Sequence, residues 1–437
     1  MTKRVGFSLL AGLAAVVVLI SAAIFVGFGG HRRTPGGDSG RTREPVSPAV
    51  AGQWVGTWSG AAAAAEPGNL DGYAGMSIRN VVHTSVGGTS VRIQLSNLFG
   101  TRPLVISHAS VALAATPSNP TAAVGTMRRL GFGDNRPTVT IPAGSSVTSS
   151  PVRLDVPHDA DLLVTTYSPV PSGPVTYHPY SRQTSYLAHG DRTEDTTGTR
   201  YTEQSPFWRY LTGVDVWSSQ ASGSVVCIGD SITDGLTSTV GANHRWTDYL
   251  AARLRDEKGA PRYGVLNEGI SGNRLLVNGS RFSPNNGPSV LSRLDRDVFT
   301  RTDVKAVVLE IGLNDMFKWP RQFDPDKIVA GMRQVVKEAH AHGLRVTGGT
   351  LTPFYGHHGY LPKMNQVREA VNRQIRSGTV FDQVVDFDKA LRDPAHPDRL
   401  RPAYDSGDHL HPSDIGYRAM ARAVNLEGLK GRSPATT

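Results

Sequence analysis

The chain of 437 residues has a single cysteine, Cys227, so no disulfide bond can form within it. Cys227 lies in a short apolar stretch, which predicts a buried and unreactive thiol. Familiar metal-binding patterns are also missing: there is no His-Glu-x-x-His, no cysteine pair and no carboxylate cluster at calcium-loop spacing. Any chemistry that the chain performs is therefore expected to need no metal and no other cofactor.

A strong excess of one charge is missing as well. The formal net charge is +9, of which the first 44 residues contribute +4, so +5 remains for the rest of the chain. There is no dense basic stripe interleaved with aromatic residues, and nucleic-acid binding is disfavoured. A charge of this size is compatible with attraction to anionic lipid headgroups or envelope polymers but does not indicate them.

Long uncharged apolar runs are absent except at the amino-terminal end. The run at residues 5–30 exceeds the roughly 20 residues that span a bilayer, and a clear small-x-small cleavage site is missing near its end. We expect residues 1–30 to be a signal-anchor transmembrane helix, with a cleaved signal peptide as the alternative. Either places the rest of the chain outside the cytoplasm, secreted or anchored at the cell surface. Residues 31–51, rich in Gly, Pro, Arg and Ser, are expected to form a disordered linker.

Residues 52–220 lack long helical patterns. Polar and apolar residues alternate instead in short segments, at residues 90–95, 138–141, 151–156 and 161–167. Short strands separated by Gly, Pro and Asn predict an antiparallel β-sandwich of jelly-roll-like type.

This accessory domain permits two interpretations. It could bind carbohydrate through exposed aromatic rings, or it could pack against the next domain and shape its entrance. The candidate rings are Trp54, Trp58, Tyr177, Tyr180 and Tyr186. Packing is the favoured interpretation, because aromatic side chains are normally core residues.

Residues 222–428 alternate between apolar runs and amphipathic helices, and residues 429–437 are expected to be a flexible tail. The predicted strands are residues 224–228, 265–267, 306–311, 345–351 and 381–387. The predicted helices are residues 246–257, 290–299, 325–342, 362–376 and 415–424. Such alternation predicts an α/β fold with a parallel sheet between two helical layers, a three-layer α/β/α sandwich of flavodoxin-like type.

Polar residues follow directly after three of the predicted strands. Ser231 comes after Gly229 and Asp230, which suit a tight turn, and Asn314 follows the strand at residues 306–311. The glycine-containing segment 268–273 follows a third strand. The carboxyl ends of parallel strands meet at one edge of a sheet, so these residues should converge on one crevice.

A histidine and a carboxylate lie close together near the end of the chain. Asp408 and His411 are three residues apart, just before Ser413, which is a good N-cap for the last helix. A serine hydroxyl attacks well only when a base takes its proton, and that base needs a partner to fix its tautomer. Ser231, His411 and Asp408 therefore fit acyl transfer, with the Asn314 amide and a glycine N–H as donors to the oxyanion. Four other histidines are interpreted as surface residues: His340, His342, His357 and His358.

In this order, the polar segments resemble those of the SGNH hydrolases, also called GDSL esterases and lipases. The block Gly-Asp-Ser-Ile-Thr-Asp-Gly at residues 229–235 is similar to the first motif of the family. Gly272 matches the second-block glycine, Asn314 the third-block asparagine, and residues 408–412 the last block. The resemblance covers about residues 222–428. A β-rich domain before the hydrolase domain is similar to the arrangement in secreted actinobacterial esterases.

The resemblance implies a role for each matching residue. Ser231 would be the nucleophile and His411 the base, supported by Asp408. The oxyanion hole would consist of Gly272, the Asn314 side chain and the backbone N–H of Ser231. No Gly-x-Ser-x-Gly surrounds Ser231, which separates the chain from the α/β-hydrolases.

These observations predict an extracytoplasmic serine hydrolase that cleaves carboxylic esters through an acyl-enzyme, as an esterase or lipase. The expected partner is an ester substrate: a lipid, a small ester or an acylated polysaccharide. Two alternatives within the enzyme class stay open, a polysaccharide O-acetyl esterase and an acyltransferase. The alternative of another class is a catalytically inactive carbohydrate-binding or cell-surface protein.

Overall fold

The computed structural model describes residues 52–431. Strands fill the first part of this range, up to residue 218. They are β1 (Gln53–Ser59), β2 (Ala64–Ala65), β3 (Met76–His83), β4 (Gly88–Ser96), β5 (Leu104–Ile106), β6 (His108–Leu113), β7 (Arg128–Leu130), β8 (Val139–Ile141), β9 (Ser146–Thr148), β10 (Val152–Val156), β11 (Asp161–Ser168), β12 (Thr176–His178), β13 (Ser185–His189), β14 (Glu203–Ser205), β15 (Trp208–Arg209) and β16 (Leu211–Ser218).

Two antiparallel sheets dominate this β-rich region. One has the order β1–β16–β4–β10, with β9 also paired to β4, and the other has the order β14–β13–β3–β11–β6–β7. Apolar side chains from both sheets, among them Ile93 and Leu162, belong to one buried cluster. The two sheets therefore pack on a shared core, and the predicted antiparallel β-sandwich is confirmed.

The candidate carbohydrate-binding aromatics are mostly part of the interior. Trp58, Tyr177 and Tyr186 are buried, whereas Tyr180 is 45% exposed. Trp54 is half-buried, with the Trp217 ring edge-on at a centroid distance of 5.6 Å. Packing thus accounts for most of these rings.

The second part contains one parallel sheet. Its strands are β17 (Gly223–Gly229), β18 (Tyr263–Gly269), β19 (Val304–Glu310), β20 (Arg345–Gly349) and β21 (Gln383–Val385). Their order is β18–β17–β19–β20–β21, and every pairing is parallel. This order confirms the flavodoxin-like fold. It also places the reversal of strand order at β17, where open α/β sheets bind their ligands.

Helices alternate with these strands. They are α1 (Ser231–Asp234), α2 (Trp246–Asp256), α3 (Val290–Leu294), α4 (Leu313–Phe317), α5 (Pro325–Ala341), α6 (Pro362–Arg376), α7 (Phe387–Leu391) and α8 (Asp414–Ala423). α8 packs against α2 and α7, while α5 packs against α3 and α6. The long helices have nearly the predicted bounds.

Two elements differ from the sequence-based prediction. The segment predicted as one helix at residues 290–299 is α3 followed by a π-helical turn, Asp295–Phe299. The last strand is shorter than predicted because the Asp386 side chain caps a helix there, accepting a hydrogen bond from the Lys389 N–H. Phe387 consequently begins α7 and lies against Gly349 of β20.

The β-sandwich touches the parallel sheet closely. β1 lies beside β18, and the Gly56 N–H donates to Ser224 Oγ of β17 at 3.1 Å. A Cβ at Gly264 would come within 2.0 Å of the Gly56 carbonyl oxygen, so only glycine allows this approach. The two parts are therefore joined backbone to backbone at the sheet edge.

Within residues 52–431, we find no helix with the length and apolarity needed to span a bilayer. The predicted anchor at residues 1–30 and the linker at residues 31–51 lie outside the described residues. Of the predicted tail, only residues 429–431 are described, and Leu429 is buried.

Candidate active site

Ser231 begins α1 at the carboxyl end of β17, and the local sequence dictates a sharp turn there. Asp230 is the N-cap, and its side chain accepts a hydrogen bond from the Ile232 N–H at 3.0 Å. A Cβ at Gly229 would lie 2.3 Å from the Glu310 carbonyl oxygen, so the strand end tolerates only glycine. The turn holds Ser231 at the edge of the sheet.

Ser231 is joined to His411 and Asp408 by a chain of hydrogen bonds. The Ser231 hydroxyl lies 2.8 Å from His411 Nε2, and His411 Nδ1 lies 2.5 Å from Asp408 Oδ2. The carboxylate can only accept, so Nδ1 carries the proton and Nε2 accepts from the serine. This is the geometry of a nucleophile, a general base and an orienting carboxylate.

The loop before α8 fixes the Asp408 carboxylate. Its Oδ1 accepts hydrogen bonds from the backbone N–H groups of Leu410 at 3.0 Å and His411 at 2.8 Å. Partial burial raises the pKa of Asp408, but the hydrogen bonds from the His411 ring and from the two N–H groups lower it more. The net pKa lies well below its usual range. Asp408 therefore stays anionic and can stabilise the imidazolium that forms during proton transfer.

Asn314 and Gly272 lie on two other strand ends, as predicted. Asn314, in the first turn of α4, donates from Nδ2 to Asp230 Oδ2 at 3.1 Å. Gly272 follows β18 with a φ of +80°, and a Cβ there would lie 2.4 Å from Asn286 Oδ1. Among residues 52–431, no acceptor receives the Gly272 N–H. Both groups are thus available as donors to an oxyanion.

A second buried carboxyl group, Glu310, lies beneath the nucleophile and was not predicted. It ends β19 next to Gly229 in the parallel ladder, and its Oε2 accepts from the Thr233 hydroxyl at 3.2 Å. Burial raises its pKa well above the ordinary value, and the neighbouring Asp230 raises it further. Burial also raises the pKa of Asp230, to about 6. Burial and the Asp230 charge thus both favour the uncharged form of the Glu310 carboxyl group.

We expect the Glu310→Gln variant to change how stability depends on pH. Because the pKa of Glu310 is higher in the folded state than in the unfolded chain, the folded state holds the extra proton. The contribution of Glu310 to stability should therefore fall as the pH rises above about 4.5, and glutamine should remove this part of the pH dependence. Urea unfolding from pH 4 to 8 measures it. A constant difference between the two proteins at every pH would contradict an elevated pKa.

Arg293 is a buried cation that ties the strand ends together. It donates to the carbonyl oxygens of Gly229 at 3.1 Å and Glu268 at 2.8 Å. It also donates to Asn273 Oδ1 at 3.0 Å and pairs with Asp297 at 2.9 Å. Arg293 thereby connects β17, β18 and the residue after Gly272. In the sequence, the only signal for the buried position of Arg293 is a charged residue on an otherwise apolar helix face.

Two further residues lie on the rim of this crevice. Lys318, after α4, is half-buried, and its Cε would be 3.1 Å from a Cβ at Gly272. Burial lowers the pKa of Lys318, and the nearby Arg274 lowers it further. The next side chain, Trp319, is 86% exposed, while its carbonyl accepts from Arg274 Nη1 at 3.1 Å. Sequence reasoning singled out neither residue.

The remaining predictions concern side chains away from the nucleophile. Cys227 is fully buried in β17, and burial raises the pKa of its thiol. Of the four histidines interpreted as surface residues, His357 is only half-buried and its Nδ1 lies 3.2 Å from the Asp408 carbonyl oxygen. The other three are exposed: His340, His342 and His358. Across residues 52–431, no group of three potential metal-ligating side chains is arranged to hold an ion.

Residues 227–419 match the sequence model of the GDSL-like lipase/acylhydrolase family. No curated protein matches the chain. Among solved structures, a GDSL-like lipase from Bacteroides thetaiotaomicron is 18% identical, with 46% of this chain and 84% of that chain covered and a TM-score of 0.32. An acetylxylan esterase from Geobacillus stearothermophilus is 23% identical, with 48% and 94% covered and a TM-score of 0.35. The family match includes every residue of the crevice described above from Ser231 to His411.

Proposed function

The domain at residues 227–419 belongs to the GDSL-like lipase/acylhydrolase family and is a serine ester hydrolase, and from this premise we propose an extracytoplasmic esterase that works through an acyl-enzyme on Ser231. The extracytoplasmic location rests on the sequence alone, on the apolar run at residues 5–30. That run would act as a membrane anchor or as a cleaved signal peptide.

The proposed reaction has two halves. Ser231 Oγ attacks the ester carbonyl carbon while His411 Nε2 takes its proton. The tetrahedral oxyanion is held by the N–H groups of Ser231 and Gly272 and by the second Nδ2 hydrogen of Asn314. The C–O bond then breaks, and His411 gives the proton to the departing alcohol. In the second half, water attacks the acyl-enzyme with His411 again as base, which releases the acid and restores the serine.

One observation carries this proposal: the unbroken hydrogen-bond chain from Ser231 through His411 to Asp408, with distances of 2.8 and 2.5 Å. A binding protein would have no need for a histidine held between a buried hydroxyl and an anionic carboxylate. The test is hydrolysis of nitrophenyl esters from acetyl to palmitoyl by the protein and its Ser231→Ala variant. The chain-length profile distinguishes a lipase from a short-chain esterase.

A second candidate is de-O-acetylation of a polysaccharide, and Trp319 favours it. The Trp319 indole is 86% exposed and follows Lys318, which lies beside Gly272. It offers a flat face on which a sugar ring can stack. The side chains nearest to Gly272 are also polar: Asn286 Oδ1 and Lys318 Cε would lie 2.4 and 3.1 Å from a Cβ there. This arrangement suits a hydrated chain better than a long acyl tail.

We expect Trp319→Ala to discriminate between these substrates. Loss of the indole should raise KM for an acetylated xylan by about 5- to 30-fold, the equivalent of about 1–2 kcal/mol, because the stacking surface is gone. Hydrolysis of nitrophenyl acetate, which has no sugar ring to stack on the indole, should change less than about twofold. Val124→Ala, which removes an exposed apolar side chain of the β-sandwich, is the matched control. Equal losses on both substrates would exclude a sugar-stacking role.

A further inference from the structure

A buried histidine of the β-sandwich reaches the first motif of the hydrolase domain. His178 ends β12, and its Nε2 lies 3.0 Å from Asp234 Oδ1 at the end of α1. The side chains of both residues are 4% exposed. This contact crosses from one fold to the other, and the proposed reaction assigns no role to either residue.

The other carboxylate oxygen of Asp234 binds Ser271, the residue before Gly272. Asp234 Oδ2 accepts from the Ser271 N–H at 3.0 Å and from the Ser271 hydroxyl at 2.6 Å. Ser271 directly precedes Gly272, whose N–H is a proposed oxyanion donor. One carboxylate therefore connects His178 with the peptide unit before that donor.

The His178 ring donates from both nitrogens. Its Nδ1 lies 2.9 Å from the Ala61 carbonyl oxygen, which can only accept, and its Nε2 faces the Asp234 carboxylate. Burial lowers the pKa of His178, but the Asp234 charge and the two hydrogen bonds more than offset this and leave it raised. A buried imidazolium opposite a buried carboxylate is a rigid contact, because either charge alone would be costly to bury.

The same strand supports the far side of Gly272. The Tyr177 hydroxyl donates to Asn285 Oδ1 at 2.6 Å, in the turn Pro284–Asn286. The backbone carbonyl of Asn286 accepts from Asn273 Nδ2 at 2.7 Å. β12 thus contacts both the segment before Gly272 and the turn that packs beside it.

We propose that His178 is a positioning residue for the reaction: through Asp234 it fixes Ser271 and thereby the direction of the Gly272 N–H, so that the β-sandwich completes the oxyanion hole. The inference rests on the proposed esterase function. His178 does not touch the reacting atoms, and its effect is on where the Gly272 N–H points. Misplacement by less than 1 Å is enough to weaken a preorganised donor.

Two substitutions separate this role from simple packing. In His178→Gln the amide nitrogen can occupy the position of Nε2 and still donate to Asp234. In His178→Asn the amide nitrogen can occupy the position of Nδ1, which keeps the Ala61 contact and loses the Asp234 contact. His83→Asn is the matched control, because it also loses a contact from Nε2 to a carboxylate of the β-sandwich, Asp159 at 3.0 Å, and keeps the Nδ1 contact, to Asp161 at 2.7 Å.

For nitrophenyl acetate, His178→Asn is expected to lower kcat about tenfold with KM within about twofold, and His178→Gln to restore kcat to within about threefold. His83→Asn should leave kcat unchanged. Thermal unfolding is measured on all variants, and kcat is normalised to the fraction of Ser231 labelled by a fluorophosphonate. Hydrogen–deuterium exchange of the peptide at residues 270–276 should accelerate in His178→Asn and not in His178→Gln.

The possible outcomes separate the two proposals. An active protein whose His178→Asn variant keeps the original kcat overturns the positioning role and leaves the esterase proposal intact. Equal losses of kcat in the Asn and Gln variants, in step with lower unfolding temperatures, also overturn it, because they indicate packing alone. If the unsubstituted protein is neither labelled at Ser231 nor active on any ester, the esterase proposal fails and the positioning role fails with it. Faster hydrogen–deuterium exchange at residues 270–276 in His178→Asn, together with a loss of kcat that His178→Gln does not show, supports both the esterase proposal and the positioning role.

Discussion

The Ser231→Ala variant is expected to lose kcat/KM toward nitrophenyl acetate by at least about 10⁴-fold. The substitution removes the oxygen that lies 2.8 Å from His411 Nε2, and no other hydroxyl takes its place in that hydrogen-bond chain. What remains is the oxyanion hole and substrate binding, which on their own supply only a small part of the acceleration. The measurement is the steady-state rate of nitrophenol release at pH 8, with the spontaneous rate subtracted.

This loss should occur without a loss of structure. The Ser231 side chain is small and its backbone is held by the Asp230 cap, so the unfolding temperature of the variant should stay within about 3 °C of the original. Ser222→Ala, an exposed serine just before β17, is the control and should keep full activity. A fluorophosphonate should label the unsubstituted protein and the control, and fail to label Ser231→Ala. Retention of more than about a hundredth of the activity would mean that another group is the nucleophile.

The positions of the candidate active-site residues could be predicted from the sequence because each follows a local signal. A buried strand ends, a glycine allows a tight turn, and a polar side chain comes next, as at Gly229 and Ser231. The order of such segments fixes which strand ends meet, since every strand of the sheet is parallel. The contact between Asp408 and His411 could be predicted because two residues three apart in a tight loop have neighbouring side chains.

Most of the β-sandwich could not be predicted in the same way. Its strands are short, and their partners lie far apart in the chain: β1 pairs with β16, with Trp54 opposite Trp217. Pairing of this kind is decided by packing across the two sheets, which local alternation does not encode. The four segments that alternated clearly lie in β4, β8, β10 and β11.

The roles of the buried charged residues could not be predicted from the sequence for a related reason. Glu310 and Arg293 stand in segments that look like an ordinary strand and an ordinary helix. Their roles depend on groups brought together by the fold, such as the carbonyl oxygens of Gly229 and Glu268 for Arg293. His178 is the clearest case, because its partner Asp234 lies in the other half of the molecule. Contacts between distant segments are what sequence patterns leave out.

The Asn314→Ala variant is expected to lower kcat about 10²- to 10³-fold, or about 3–4 kcal/mol, with little change in KM. Asn314 Nδ2 already donates one hydrogen to Asp230 Oδ2 at 3.1 Å, which fixes the amide plane and leaves the second hydrogen for the oxyanion. The ester carbonyl carries little charge before attack, so the donor matters mainly in the transition state. Steady-state kinetics on nitrophenyl acetate, with kcat and KM determined separately, is the measurement.

Asn314→Asp provides the matched comparison, since it keeps the shape and removes the donor. It places a second carboxylate against the buried Asp230, so at neutral pH it should be less active than the alanine variant as well as less stable. Acidification should restore part of its stability, because protonation of one of the two carboxyl groups removes the repulsion. If Asn314→Ala instead raised KM and left kcat intact, the amide would bind the ground state of the ester and the Ser231 and Gly272 N–H groups would hold the oxyanion alone.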